Sequence, residues 1–139
     1  YVLVYAANDG EIIDFDDELL VGIPAETDIL FINTGFFKNR GSKKYWNNNP
    51  GLAPALAFRL KKRCPHLRIV GFDFISLSSY QNRMLGREAH REFLVKHDIL
   101  VIEDMDFSNL KENISNVVAL PFMIDQADGV PITVIANYE

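Results

Sequence analysis

Cysteine is almost absent: Cys64 is the only one in 139 residues. An internal disulfide is therefore excluded, and so is zinc bound by several thiolates. In "KKRCPHL" the thiol follows a helix-like stretch, where an inert helix-end residue is a simpler reading than a reactive nucleophile. Long apolar runs are also missing. None approaches the roughly 20 residues that span a bilayer, and the opening "YVLVYAANDGEIIDF" has neither the basic region nor the small-residue cleavage site of a signal peptide. A cytoplasmic protein with no membrane partner is the expectation. There is no excess of positive charge: 14 Lys and Arg against 19 Asp and Glu leave a net charge of -5. That argues against a nucleic-acid partner, which requires a basic face to neutralise phosphates. No GxGxxG or GxxxxGK[ST] phosphate loop occurs, and no GxSxG nucleophile elbow. No histidine precedes His66, and no methionine opens the chain. Residues 2–6 already read as a strand in progress, so the expectation is an N-terminally truncated part of a longer chain.

What is present is an ordinary globular composition, 48% hydrophobic and 24% charged, with no low-complexity block and no linker. The length predicts one domain over residues 1–139. "YVLVYAA" and "EIIDF" read as two short strands joined at Asn8-Asp9-Gly10. Asp14 or Asp16 is positioned to cap a short helical turn that Ile23-Pro24 closes. "DILFINTG" predicts a buried strand ending at a glycine. "PGLAPALAFRLKKR" has helical spacing, with Leu52, Leu56 and Leu60 inward beside Ala53, Ala57 and Phe58. Its terminal Lys61, Lys62 and Arg63 suit a helix carboxyl end. "LRIVGFDF" predicts a strand breaking at Gly71. "GREAHREFLVKH" predicts a helix with Ala89, Phe93 and Leu94 inward, and "DILVIED" a third buried strand. "NVVALPFMIDQADGVPITVIANY" predicts two long strands in a hairpin around "QADG". Helices set between strands indicate an α/β domain with a mixed sheet, parallel in the middle and antiparallel at one end.

Few residues point to chemistry. The closely spaced acids Asp14 to Glu18 stand at a helix start, where solvation and the helix dipole account for them. His66 lies in a turn and His97 where a helix ends. His90 differs because Glu103 emerges at the carboxyl end of the 99–102 strand, the edge at which α/β sheets place ligands. A helix running back antiparallel brings His90 to that edge from near its N-terminal turn. An imidazole with a carboxylate suits Zn²⁺ or Mn²⁺, or an acid–base pair. The polar loop "FKNRGSKKYWNNNPG" carries Tyr45 and Trp46, either as surface packing or as part of a site.

Several stretches, in order, resemble the cyclase family of metal-dependent hydrolases, which includes bacterial kynurenine formamidase and isatin hydrolase. "ETDILFINTGFF" resembles the family strand that ends in a Thr-Gly pair, here Thr34 and Gly35. "YWNNNPGLAPALAFRL" resembles its Tyr-x-x-x-x-Pro-Gly-Leu loop and following helix. "RIVGFDFISLSS" matches its Gly-x-Asp-x-x-Ser strand end at Gly71, Asp73 and Ser76. "AHREFL" and "ILVIED" match its His-Arg helix and Glu-bearing strand. "ALPFMIDQADGVPITVIA" resembles its closing hairpin at Leu120, Pro121, Asp128, Gly129 and Pro131. The similarity runs from about Ile12 to Ala136. It implies a swivelling β/β/α fold, with His90 and Glu103 as ligands of Zn or Mn and with Asp73 and Ser76 as supporting residues at the strand end. It further implies hydrolysis of an amide or lactam C–N bond in a small-molecule substrate by metal-activated water, in a dimer or tetramer. Phe37, Tyr45 and Trp46 are the expected aromatic wall for a planar substrate. Two departures stand out. The family's principal metal motif, HxGTHxDxPxH, is missing; its ligands and its general acid–base histidine are expected upstream of residue 1. Ser78 also stands where the family often has an aspartate, and the "SSYQNRMLGREAH" loop looks longer than in the formamidases. The rival expectation is an incomplete or catalytically dead family module that acts as a binding or structural protein.

Overall fold

Four apolar strands dictate the centre of the molecule. In a computed structural model, which describes residues 1–111 and 113–138, β1 (Val2–Val4), β3 (Ile29–Asn33), β5 (Ile69–Phe72) and β6 (Leu100–Ile102) form one parallel sheet in the order β1-β3-β5-β6. Leu30, Phe31, Ile32, Val70 and Phe72 are buried. Their near-continuous apolar runs are what a parallel sheet covered on its faces selects. A second, short parallel ladder pairs β2 (Ile12–Ile13) with β4 (Gly51–Leu52). The expected α/β class is therefore what the protein has, with parallel strands through residues 1–109 and an antiparallel pair at the end, in separate ladders.

The first strands pair differently from the sequence expectation. A turn does form at Asp9-Gly10, but β1 and β2 do not pair with each other. β1 lies beside β3 and β2 beside β4. The Gly10 N–H donates to the Asn48 carbonyl at 2.8 Å, so the Asp-Gly turn docks on a distant loop instead of closing a hairpin.

The helices follow local rules. Helix α1 (Asp17–Gly22) is capped by Asp16, whose carboxylate accepts the Leu19 N–H at 2.8 Å, and it ends at Ile23 before a proline. Short α2 (Lys43–Asn47) is capped by Ser42. Helix α3 (Pro54–Arg63) has proline in its first turn and three cations in its last. Leu56, Ala57 and Leu60 are fully buried, each leucine contributing about 1.5–3 kcal/mol of transfer free energy. Phe58 points outward, 57% exposed. Helix α4 (Arg83–His90) runs straight into a π-helical turn, Arg91–Lys96. Ala89 and Phe93 face the core, while Leu94 is 37% exposed and does not join it. Both α4 and this turn pack on α3. Leu100 in β6 is also exposed, as suits the edge strand of the sheet.

Two compact units divide the chain, Tyr1–Asn109 and Leu110–Glu139. The second is the expected hairpin: β7 (Ile114–Pro121) and β8 (Ile132–Tyr138) pair antiparallel, with a bulge near Asn116. "QADG" lies in the connection between them. Among the described residues no helix is long and apolar enough to cross a membrane.

Candidate metal centre

Parallel strands end at one edge, so the residues that follow β3, β5 and β6 converge there. These are Thr34, Asp73 and Glu103, each the first residue beyond its strand. Asp73 is fully buried and faces β3. One of its oxygens accepts the Thr34 N–H at 3.0 Å and the Thr34 hydroxyl at 2.6 Å, and the other accepts the Phe37 N–H at 3.4 Å. It ties two strand ends together and makes no hydrogen bond to His90 or Glu103.

Glu103 faces α4. Its Oε1 accepts the Leu77 N–H at 2.7 Å and the Ser76 hydroxyl at 3.2 Å, and lies 3.5 Å from His90 Nε2. Ser76 thus contacts the pair directly, whereas Asp73 does not. Glu103 Oε2 accepts no hydrogen bond among the described residues. The imidazole and carboxylate side chains are 35% and 33% exposed, so the pair opens to solvent.

His90 reaches this edge from a different place than its sequence position suggests. It is the last residue of α4, at the junction with the π-helical turn, and not near the helix start. The helix begins as early as Arg83, and its winding widens directly after the histidine; such π turns recur at functional sites. Gly86 allows the close approach. A Cβ there would lie 2.0 Å from Ser78 Oγ and 2.8 Å from Ser78 Cα. Only a glycine lets α4 rest on the 76–79 loop that also holds Glu103. Helix-interior glycine costs roughly 1 kcal/mol against alanine, and that cost was the signal in the sequence.

The Gly86 carbonyl sets the tautomer. His90 Nδ1 lies 2.9 Å from it, and a carbonyl only accepts, so Nδ1 carries the hydrogen. In neutral His90 the Nε2 lone pair then faces the Glu103 carboxylate, with no hydrogen between two acceptors. Either a proton or a cation resolves that opposition. Without a cation, the hydrogen bond to Glu103 raises the His90 pKa above its ordinary value, against an opposing effect of burial. Burial pushes the Glu103 carboxyl up, but His90, the Leu77 N–H and Ser76 outweigh it and leave it below its ordinary value.

The donor chemistry fits a divalent cation. Metal-bound histidines commonly donate the other ring N–H to a carbonyl, as His90 does. Two donors 3.5 Å apart can both approach one zinc ion at about 2.0–2.1 Å. The pair supplies two ligands, and no group of three or more His, Cys, Asp or Glu side chains is arranged to hold a metal among the described residues.

The other anticipated residues are spread out. Tyr45 is buried, and its hydroxyl donates to Asp104 beside Arg40. Phe37 is half-buried in a 3₁₀ turn, Phe36–Asn39, next to Asp73. Trp46 is 57% exposed and borders a cleft with Ser76 and Ser78. His66 is exposed. His97 lies 3.7 Å from Glu92, and its ring centroid is 5.9 Å from that of Phe58, away from Glu103. Cys64 is buried at the end of α3, and burial pushes its thiol pKa up, which disfavours the thiolate a reactive cysteine requires. Asp14 and Asp17 pair with Arg59.

No protein-family model matches the chain, and no curated protein sequence does either. Among solved structures it is similar to one described as a potential metal-dependent hydrolase with cyclase activity. Identity is 16% and the TM-score 0.70, over 97% of this chain. This chain spans 62% of the length of that one. At that identity the likeness establishes a shared fold.

Proposed function

We propose that this protein is a metal-dependent hydrolase of the cyclase type, which cleaves an amide or lactam C–N bond in a small molecule. The observation that carries the reading is the His90–Glu103 pair, whose two lone-pair donors face each other 3.5 Å apart with the imidazole tautomer set by Gly86. The fold shared with a potential metal-dependent hydrolase supports it. A divalent cation, Zn²⁺ or Mn²⁺, bound at this pair would lower the pKa of water and polarise a carbonyl oxygen. The roles of the chain's own residues are narrower. His90 presents Nε2 while the Gly86 carbonyl holds the ring. Ser76 and the Leu77 N–H hold Glu103 Oε1 at the strand end and leave Oε2 open. This reading requires at least one further protein ligand, and a residue to move protons, beyond His90 and Glu103.

A second reading, a binding or structural module without catalysis, is favoured by the donor count. Two protein ligands are fewer than the three of a usual catalytic zinc site. Hydrolysis of formanilide and of an aryl lactam by the intact protein separates the two. Turnover that requires Zn²⁺ or Mn²⁺, stops with chelator and falls roughly 100-fold or more in His90→Ala supports the hydrolase. Metal-independent turnover, or an unchanged rate in that variant, contradicts it.

A further inference from the structure

The grip on Glu103 comes from a loop, and a loop needs a rigid support to place its groups. Ser76 and Leu77, which hold Oε1, stand between the end of β5 at Phe72 and a 3₁₀ turn that begins at Tyr80. What they rest on is the segment 49–52. The Leu52 N–H donates to the Leu77 carbonyl at 3.0 Å. Gly51 lies so close that a Cβ there would stand 2.5 Å from the Ser79 backbone nitrogen.

One position further back the main chain cannot add a donor to this contact, because Pro50 has no N–H. The Asn49 side chain replaces it. Asn49 is 1% exposed. Its Nδ2 donates to the Ser78 carbonyl at 2.8 Å and to the Pro50 carbonyl at 2.9 Å, and its Oδ1 accepts the Tyr80 N–H at 3.2 Å. The amide thus brackets Ser79, meeting the carbonyl before it and the N–H after it. Only a side chain with both a donor and an acceptor does this; aspartate lacks the donor and leucine lacks both.

Ser78 is where this hold reaches the pair. Its carbonyl is on Asn49, and its N–H donates to Ser76 Oγ at 3.2 Å. The Ser76 hydroxyl in turn donates to Glu103. On its other side Ser78 supports α4, whose Gly86 has no room for a Cβ against it, and α4 ends at His90. One residue therefore serves both halves of the pair, and Asn49 fixes that residue.

We infer that Asn49 is a positioning residue for the His90–Glu103 pair: through Ser78 it fixes the loop that grips the carboxylate and the surface on which α4 rests. The consequence for cation binding rests on the metal-dependent reading above. The hold on the loop does not.

Amide hydrogen exchange of the intact protein without metal tests the hold. Thr34 is the control, because its N–H is also held by a carboxylate at this sheet edge, that of Asp73, outside the path from Asn49. Asn49→Ala is expected to speed exchange at Leu77 by about tenfold or more and to leave Thr34 within about twofold. Asn49→Ser keeps one polar atom and should show the same pattern with a smaller factor; it carries the test if the alanine variant does not fold. Calorimetric titration with Zn²⁺ reads the consequence, about tenfold weaker binding in Asn49→Ala. Equal acceleration at Leu77 and Thr34 would mark a purely structural residue and overturn the inference, as would unchanged exchange at Leu77. Wild-type Zn²⁺ affinity despite selective exchange at Leu77 also overturns it. Selective exchange at Leu77 in a protein that binds no Zn²⁺ even as wild type keeps Asn49 as the holder of the pair and removes only the metal reading.

Discussion

Glu103 and Asp104 are neighbours in sequence, and they lead opposite lives. Glu103 turns toward α4, where it meets an imidazole, a serine hydroxyl and one backbone N–H, and keeps an oxygen open. Asp104 turns toward the segment that holds the 36–39 turn and α2. Its side chain takes the Arg40 Nη2 at 2.6 Å and the buried Tyr45 hydroxyl, and the same guanidinium bonds its carbonyl at 2.8 Å. Asp104 has a positive φ of 56°, and that left-handed residue sends the two carboxylates to different neighbours. The difference teaches what a candidate ligand looks like here. Asp104 is neutralised by a fixed cation and closes a loop onto the sheet; Glu103 faces a lone pair and has capacity to spare. Asp73, buried and occupied by Thr34, marks the fully closed extreme.

The three carboxylates should respond differently to substitution. Asp73→Ala removes a fully buried acceptor and leaves the half-buried Thr34 N–H and hydroxyl without it, and a loss of about 2–4 kcal/mol is expected in urea unfolding. Gly86→Ala comes next. Alanine gains roughly 1 kcal/mol of helix propensity, but the new Cβ forces α4 off Ser78, at roughly 1–3 kcal/mol. The expected net is modest destabilisation together with a weakened His90–Glu103 pair, read as a lower His90 pKa by NMR. An unchanged His90 titration would show that the close approach does not position the ring. Asp104→Asn has a smaller effect, about 1 kcal/mol, because Arg40 and Asp104 are both well exposed and screened.

The Tyr45–Asp104 contact also ties stability to alkaline pH. Burial, then the hydrogen bond to Asp104, raises the Tyr45 phenol above its ordinary value of 10.0. Its contribution to stability is therefore complete below pH 10 and is lost as pH rises through the raised folded value. Tyr45→Phe should flatten that alkaline decline in a pH series of thermal melts. The effect is the smallest of the four, and an unaltered slope would remove Tyr45 as its source.

Much of the fold was legible in the sequence because its signals are local. The buried run of β3, the proline-started and cation-ended α3, the Asp16 cap and the alternating strands of the 114–138 hairpin each rest on residues close in sequence, though the hairpin closes through a ten-residue connection, 122–131, and not through a tight Asp-Gly turn. The strand pairing at the start was not legible, since Gly10 is held by Asn48 and no local pattern encodes that contact. The site divides along the same line. His90 and Glu103 drew notice through residue type and strand-end position, but the helix start at Arg83 and the π turn that carry His90 there were invisible to periodicity. The Arg40–Asp104 contact spans 64 residues and left no trace in sequence. Nor did the hold of Asn49 on Ser78, 29 residues away.

The most direct test is a Zn²⁺ titration followed through the ring-nitrogen chemical shifts of His90, in the wild type, Glu103→Gln and Asp104→Asn. The expected result is a saturable shift of Nε2 with Nδ1 still protonated. Glu103→Gln should weaken it by roughly tenfold or more, and Asp104→Asn should change it by less than about twofold, the screened surface-charge limit. The same midpoint in Glu103→Gln as in the wild type, or an equal loss in both variants, would contradict it.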